Sequence, residues 1–183
     1  MDPRTGEYNW PFLTEETLLL RGYGRRQGIV FRRGDPRFED RTIGEVISTA
    51  IADPTCVMVN RNQGSGTRIL IDRLLRGARP SGYVVQASNH NAIAAAVAQR
   101  RADWGLAIES VARANDLGFL PYQDERYDFV VPIARKERPA VKSFVELLAE
   151  ESTRRSLIEL GFDPADSGGI TRPQKDLTLA QGD

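Results

Sequence analysis

The sequence predicts an α/β fold built on a mostly parallel sheet, because short apolar runs alternate with helical patterns between residues 57 and 133. The stretch VMVNRNQGSGTRILIDRLL at residues 57–75 has the order strand, glycine-containing loop and helix. A strand at residues 83–85 and the helical pattern NAIAAAVAQRR follow, and then the strand WGLAI and the helical pattern SVARAND. In such sheets ligands bind beyond the carboxyl ends of the strands, where helix N-termini converge. The three loops that follow these strands are therefore predicted to form one binding site.

The flanking elements are predicted from similar patterns. Residues 12–20, FLTEETLLL, fit one or two helical turns capped by Thr14, and nothing before the strand GIVF resembles a core strand. TIGEVISTAIA at residues 42–52 has the spacing of an amphipathic helix that Asp53-Pro54 stops. A strand at residues 119–120 ends at Pro121, and DERYDFVVPI starts the next one. KSFVELLAEESTRRSLIELGF predicts two helices or one bent helix that ends at Gly161.

Composition excludes some classes of function. With 25 basic and 25 acidic residues the net charge of the 183-residue chain is zero, so no global field recruits nucleic acid or a membrane. The single cysteine, Cys56, cannot form an intramolecular disulfide and is expected to be an inert buried thiol. The start of the sequence lacks the pattern of a secretion signal, and no apolar run has transmembrane length. We therefore expect a cytoplasmic location.

The loop in residues 60–68 has the features of an anion cradle. Gly64 and Gly66 remove side chains, so an anion can approach the first-turn amides of the following helix, where the dipole leaves partial positive charge. Ser65 and Thr67 add hydroxyl donors. The alternative is that Ser65 or Thr67 only caps the helix while the glycines shape a turn. The loop lacks the spacing and the lysine of a P-loop, so nucleotide hydrolysis is not supported.

Two further loops supply candidate groups. His90 and Asn91 stand at the next helix start, where capping or a local backbone bond is the alternative to ligand contact. Glu109 stands at the third loop, and its carboxylate would repel an oxyanion unless it is protonated or neutralised. Arg61, Arg68 or Arg126 could supply that positive charge, although Arg126 also fits a local ion-pair network with its acidic neighbours. A ligand that carries a donor group is the other solution.

Several separated motifs together resemble a known family. DPRTGEYN, RRQGIVFRRGDP, VNRNQGSGTRILIDRLL, SNHNAIAAAVAQRRADWGLAIESVA and LGFLPYQDERYDFVVP occur in order across residues 2–162. This combination resembles the PBP-like domain related to periplasmic molybdate-binding proteins, a cytoplasmic domain often fused to a winged-helix regulator or to a molybdopterin-biosynthesis domain. The resemblance implies a type II periplasmic-binding-protein fold, whose two α/β lobes close on a small ligand.

The resemblance also implies a division of the chain. The family's domain normally begins some tens of residues earlier, so we expect a complete second lobe and a truncated first lobe. The predicted segments are a first-lobe remnant with a crossing strand at residues 1–34, the second lobe at 35–132, C-terminal helices returning to the first lobe at 133–165 and a flexible tail at 166–183. A partner, which could be a second copy of this chain, would then supply the missing surface.

The functional expectation is a non-catalytic sensing domain for a small anion. By the resemblance, the candidate ligand is molybdate or tungstate, held without a covalent cofactor, a metal ligand set or a catalytic residue, in molybdenum homeostasis or cofactor biosynthesis. A fused or associated DNA-binding module fits this role. The alternatives are a dimerisation module and an enzyme acting on a phosphorylated or pterin substrate with Glu109 or His90 as acid or base. The expected ligand-binding residues are Asn60, Arg61, Gly64, Ser65, Gly66, Thr67, Arg68, His90, Asn91, Glu109 and Arg126.

Overall fold

The structure is a computed structural model that describes residues 16–171. Its strands and helices, in chain order, are β1 (Thr17–Arg32), α1 (Ile43–Ala52), β2 (Met58–Arg61), α2 (Gly66–Leu75), β3 (Gln86–Ala87), α3 (His90–Ala98), β4 (Trp104–Ile108), α4 (Glu109–Ala114), β5 (Leu117–Pro132), α5 (Pro139–Ala149), α6 (Glu151–Glu159) and β6 (Ile170–Thr171). A short 3-10 turn, Ile133–Arg135, precedes α5. The α/β class with a type II periplasmic-binding-protein-like topology is confirmed.

The chain forms two compact units, and residues 25–124 make up the larger one. Its strands lie in the order β3-β2-β4-β1-β5. Strand β2 is parallel to both β3 and β4, whereas β1 is antiparallel to β4, with Gln27 opposite Ile108. The sheet is therefore mixed, and the carboxyl ends of β2, β3 and β4 share one edge, as the strand-helix alternation predicts.

Helices cover both faces of this sheet, because alternate strand residues point to opposite sides. On one face Met58 and Trp104 pack with the apolar sides of α1 and α2, and on the other Val59 and Ala107 pack with α3 and α4. A Cβ at Gly105 would lie 2.7 Å from both the Val59 carbonyl oxygen and the Ile93 side chain, so α3 packs closely only because this position has no side chain. This packing fixes the starts of α2 and α3 at the shared edge.

The smaller unit comprises the described residues 16–24 and 125–171. Strand β6 pairs with the first half of β1, and Tyr23 stacks against the rings of Tyr127 and Phe162. The two predicted C-terminal helices are present as α5 and α6, and α6 ends where Gly161 adopts φ +84°. The amides of Gly161 and Phe162 donate back to the carbonyls of Ile158 and Leu157, which is the pattern of a glycine-terminated helix.

Three predicted boundaries are wrong. Residues 17–20 belong to β1 and are not helical, because Leu19 and Leu20 pair with β6, about 150 positions away. The predicted strand at residues 83–85 is a turn that precedes β3, and Val84 is 80% exposed. Pro121 does not end its strand, since β5 continues to Pro132 at the edge of the sheet, where a missing N–H costs little.

Other predictions lie partly outside the described residues. The predicted cap Thr14 and residues 172–183 of the predicted tail are among these. The earlier part of the tail has a defined position, since Ser167 is 2% exposed and residues 170–171 form β6. The predicted four-segment division of the chain stays a prediction.

Candidate functional site

The loop after β2 is closed by the residue that caps α2. Ser65 Oγ accepts a hydrogen bond from the Arg68 amide at 3.2 Å and donates to the Asn62 carbonyl at 3.0 Å. Gly64 adopts φ +82°, a conformation that other residues rarely adopt. The capping interpretation of Ser65 is therefore correct, and its hydroxyl is already used within the loop.

Capping by Ser65 leaves other donors of this helix start available. Within residues 16–171, the amides of Gly66 and Thr67 have no hydrogen-bond partner, as expected for the first turn of a helix. The Thr67 side chain is only 4% exposed, and its hydroxyl also has no partner in the described chain. A Cβ added at Gly66 would meet nothing within 4 Å, so the space beside these donors is open.

The start of α3 repeats this arrangement. Asn89 is the N-cap, and its Oδ1 accepts from the Ala92 amide at 2.8 Å. The amides of His90 and Asn91 then lack partners in the described part of the chain. Asn89 is not among the expected ligand residues, and its side chain serves as the cap, as an Asn directly before a helical pattern indicates.

Arg61 contacts the start of α3 and the loop that leads into α2. It lies at the end of β2, where it pairs in register with Ala87 of β3. Its Nη2 donates to the Ser88 carbonyl at 3.2 Å and to Asn62 Oδ1 at 3.4 Å, and its Nη1 contacts the Nδ1 of His90 at 3.4 Å. Burial and the charge of Arg25 lower the pKa of Arg61.

One hydrogen-bond donor of Arg61 has no partner among the described residues. Its Nε is buried without a hydrogen-bond partner, and no carboxylate among residues 16–171 lies within 4.0 Å of its guanidinium. Buried charges are normally paired, because desolvation of an unpaired ion is costly. The Arg61 guanidinium is therefore a cation without an acidic partner in the described part of the chain.

His90 is held in its neutral form. Burial, and then the positive charges of Arg61 and Arg25, lower its pKa from 6.5 to about 4. Because arginine can only donate, the Nδ1 atom that faces Arg61 is an acceptor, and the imidazole proton is on Nε2.

Two of the expected ligand residues have side chains that serve the fold. Arg68 Nε donates to both carboxylate oxygens of Asp72 at 2.9 Å, its Nη2 donates to the Tyr83 hydroxyl at 2.7 Å and its Nη1 to the Arg61 carbonyl at 3.2 Å. Asn60 is fully buried, donates to the Tyr83 carbonyl and accepts from the Arg61 amide. Both side chains position the Arg61 backbone and leave no group for a ligand.

Glu109 is neutralised by a residue that the sequence did not indicate. Arg26 Nε and Nη2 both lie 2.7 Å from Glu109 Oε2, and Arg113 contacts the other oxygen at 3.4 Å. The suggested partners Arg61, Arg68 and Arg126 are therefore wrong for this role. Arg26 reaches Glu109 because Gln27 pairs with Ile108 across β1 and β4, a register that local patterns cannot show.

Arg126 belongs to the smaller unit. It forms an ion pair with Asp166 at 3.3 Å and lies 3.9 Å from Asp128, so the expected local ion-pair network is present. Among residues 16–171 no cluster of three or more His, Cys, Asp or Glu side chains could hold a metal ion. The same residues include no helix long and apolar enough to cross a membrane.

Comparisons with known structures agree with this fold. A substrate-binding protein from Clostridium perfringens with bound phosphate matches at TM-score 0.62 and 12% identity, over 80% of this chain and 71% of that one. PEB3 with bound L-phospholactate matches at TM-score 0.55 and 12% identity, over 79% of this chain and 68% of that one. At such identities the likeness concerns the fold alone.

Sequence comparisons define the family. Protein YvgK of Bacillus subtilis (strain 168) is 28% identical over 184 aligned residues, which cover 92% of this chain and 56% of that protein. The chain thus spans little more than half the length of this relative. The family model described as PBP superfamily domain matches residues 1–149. This match covers most of the chain, which therefore belongs to the PBP superfamily domain family.

Proposed function

We propose that this chain is a non-catalytic binding domain for a small tetrahedral oxyanion, held between the first turns of α2 and α3. The observation that carries the proposal is Arg61, a half-buried cation whose Nε has no partner among residues 16–171 and whose guanidinium contacts the start of α3 and the loop before α2. Backbone amides at helix N-termini and a desolvated arginine are the donors that bind oxyanions best. Four amides without partners in the described part of the chain, those of Gly66, Thr67, His90 and Asn91, lie in the first turns of α2 and α3.

The donor set favours one type of ion. The backbone groups offered at the two helix starts are N–H donors, and Glu109 is already engaged by arginines. A fully deprotonated ion such as molybdate or tungstate needs only donors, whereas hydrogen phosphate also needs an acceptor for its proton. We therefore place molybdate and tungstate first among the candidates, with a role in molybdenum homeostasis or cofactor biosynthesis.

The engagement of Glu109 also favours binding over catalysis. Its carboxylate, one of the two groups that could act as acid or base, is held by the Arg26 side chain. A general acid or base needs a proton that it can exchange with the substrate. Binding is therefore the function that the geometry supports best.

Titration calorimetry tests the proposal with molybdate, tungstate, sulfate and phosphate at one ionic strength. We expect saturable binding that weakens about 10- to 100-fold in Arg61→Gln, because one charge-assisted hydrogen-bonding group is lost. Arg101→Gln is the matched control: it removes the same charge from an exposed site beyond the other end of α3 and should leave affinity unchanged. Equal affinity in wild type and Arg61→Gln, or no binding of any of the four ions, would overturn the proposal.

A further inference from the structure

His90 and Arg61 form a pair whose hydrogen bond depends on the charge of the imidazole. The Arg61 Nη1 atom lies 3.4 Å from His90 Nδ1, and this contact requires that Nδ1 carry no proton. A proton on Nδ1 would replace the hydrogen bond by two facing donors, and it would place two cations side by side. Without a bound anion, protonation of His90 is therefore opposed.

The charged groups that act on His90 are all cationic. Arg61 faces it from β2, and Arg25 acts on it from β1. His90 is also the first residue of α3, where the helix dipole adds partial positive charge. No carboxylate forms an ion pair with the imidazole in the described part of the chain. Together with burial, these groups lower the His90 pKa from 6.5 to about 4.

We infer that the oxyanion site at Arg61 is proton-coupled, so that an anion and a proton on His90 bind together. This inference rests on the proposed function. An oxyanion that takes the free Nε of Arg61 brings the negative charge and the acceptor atoms that the pair lacks. It offsets the repulsion by Arg61 and by the helix dipole, and the protonated imidazole can then donate to it. His90 thereby changes from an acceptor for Arg61 into a donor for the ligand.

The consequence is reciprocal. If the anion raises the affinity of His90 for a proton, the proton must raise the affinity of the site for the anion by the same factor. Each unit by which the anion raises the His90 pKa makes binding about tenfold tighter at acidic pH than at neutral pH. Asn91, which shares this helix start and does not titrate, cannot produce the effect.

The chain offers a direct readout, because His90 is its only histidine. Proton NMR of the imidazole from about pH 3.5 to about pH 8 gives its pKa with and without saturating sulfate, an ion that keeps its charge over this range. Amide shifts of Gly66 and Thr67 report sulfate binding independently. We expect a pKa near 4 in the free protein, an increase of at least about one unit with sulfate, and binding at least about fivefold tighter at pH 4 than at pH 8.

Two variants complete the design. His90→Gln keeps the backbone amide and removes the titrating group, so its sulfate affinity should not depend on pH, whereas Arg101→Gln should behave as wild type. Sulfate binding that shifts the Gly66 and Thr67 amides but leaves the His90 pKa unchanged would overturn the coupling and leave the proposed function intact. If sulfate shifts neither these amides nor the imidazole, the binding site itself is refuted and the coupling with it.

Discussion

Arg68 Nε donates to both carboxylate oxygens of Asp72, one helical turn further along α2, at 2.9 Å. Arg61, seven residues earlier, has no acidic partner within residues 16–171. The two arginines flank the same loop, yet one is neutralised inside the fold and the other is not. Because of this difference, we propose Arg61 and not Arg68 as the cation that binds the ligand.

Replacement of Arg68 should therefore affect stability. Arg68→Gln removes the ion pair with Asp72 and the hydrogen bond to Tyr83, and we expect the free energy of unfolding to fall by about 1–3 kcal/mol. Arg113→Gln breaks an exposed pair at the same i, i+4 spacing and should cost about 0.5 kcal/mol or less. Urea unfolding monitored by fluorescence gives both values. Equal losses in the two variants would contradict the structural role of Arg68.

Substitution of Gly66 should change the stability of the helix and the affinity for the anion in opposite directions. A Cβ at position 66 meets no atom within 4 Å and would tilt toward the open side of the helix start, where we place the anion. Gly66→Ala should stabilise the chain by up to about 1 kcal/mol and weaken oxyanion binding by at least about tenfold.

Gly44 provides the matched control for that substitution. It is the second residue of α1, and its Cβ would also meet nothing within 4 Å. Gly44→Ala should stabilise the chain to a similar degree without any change in affinity. Calorimetry and urea unfolding on both variants check these results, and unaltered affinity in Gly66→Ala would place the anion elsewhere.

His90 should make the folded state sensitive to mild acid. Its pKa is about 4 in the folded chain, against 6.5 for a solvent-exposed histidine, so the unfolded chain binds the proton first as pH falls. Stability is therefore lost between about pH 6.5 and about pH 4, by up to about 3 kcal/mol. In His90→Gln this part of the pH dependence should disappear. Unfolding free energies measured across that range in both proteins, without added anion, provide the test.

Cys56 should be unreactive in the folded chain. The side chain is fully buried, and desolvation raises its pKa from 9.0 to about 11, so little thiolate is present at neutral pH. We expect a thiol reagent to label Cys56 only at the rate of unfolding, and labelling to become complete in denaturant. Rapid labelling of the native protein at pH 7 would contradict its placement in the core.

The sequence predicted the elements whose signals are local. The strand, glycine loop and helix at residues 57–75 appear as β2, a capped turn and α2, and the helices at residues 43–52 and 90–98 also appear. These segments combine a clear helical period with a capping residue. The helix starts that carry the proposed site could therefore be found without a structure.

The missed features depend on long-range pairing. Strand β1 begins at Thr17 because β6 pairs with it, and Arg26 reaches Glu109 because β1 and β4 are in register. The direction of the Arg68 side chain likewise depends on Tyr83, fifteen residues later. Neighbouring residues alone give no information on such contacts. The sequence therefore predicted arginines at the site but could not show which of them is paired within the fold.

The most direct test of the account is the amide NMR spectrum of the isotope-labelled chain during titration with tungstate. We expect the largest saturable shifts at the Arg61 Nε–H group and at the amides of Gly66, Thr67, His90 and Asn91. These shifts should be reduced in Arg61→Gln and unchanged in Arg101→Gln. Saturable shifts confined to other residues, or no saturable shift at these five groups, would contradict the claim that the two helix starts and Arg61 hold an oxyanion.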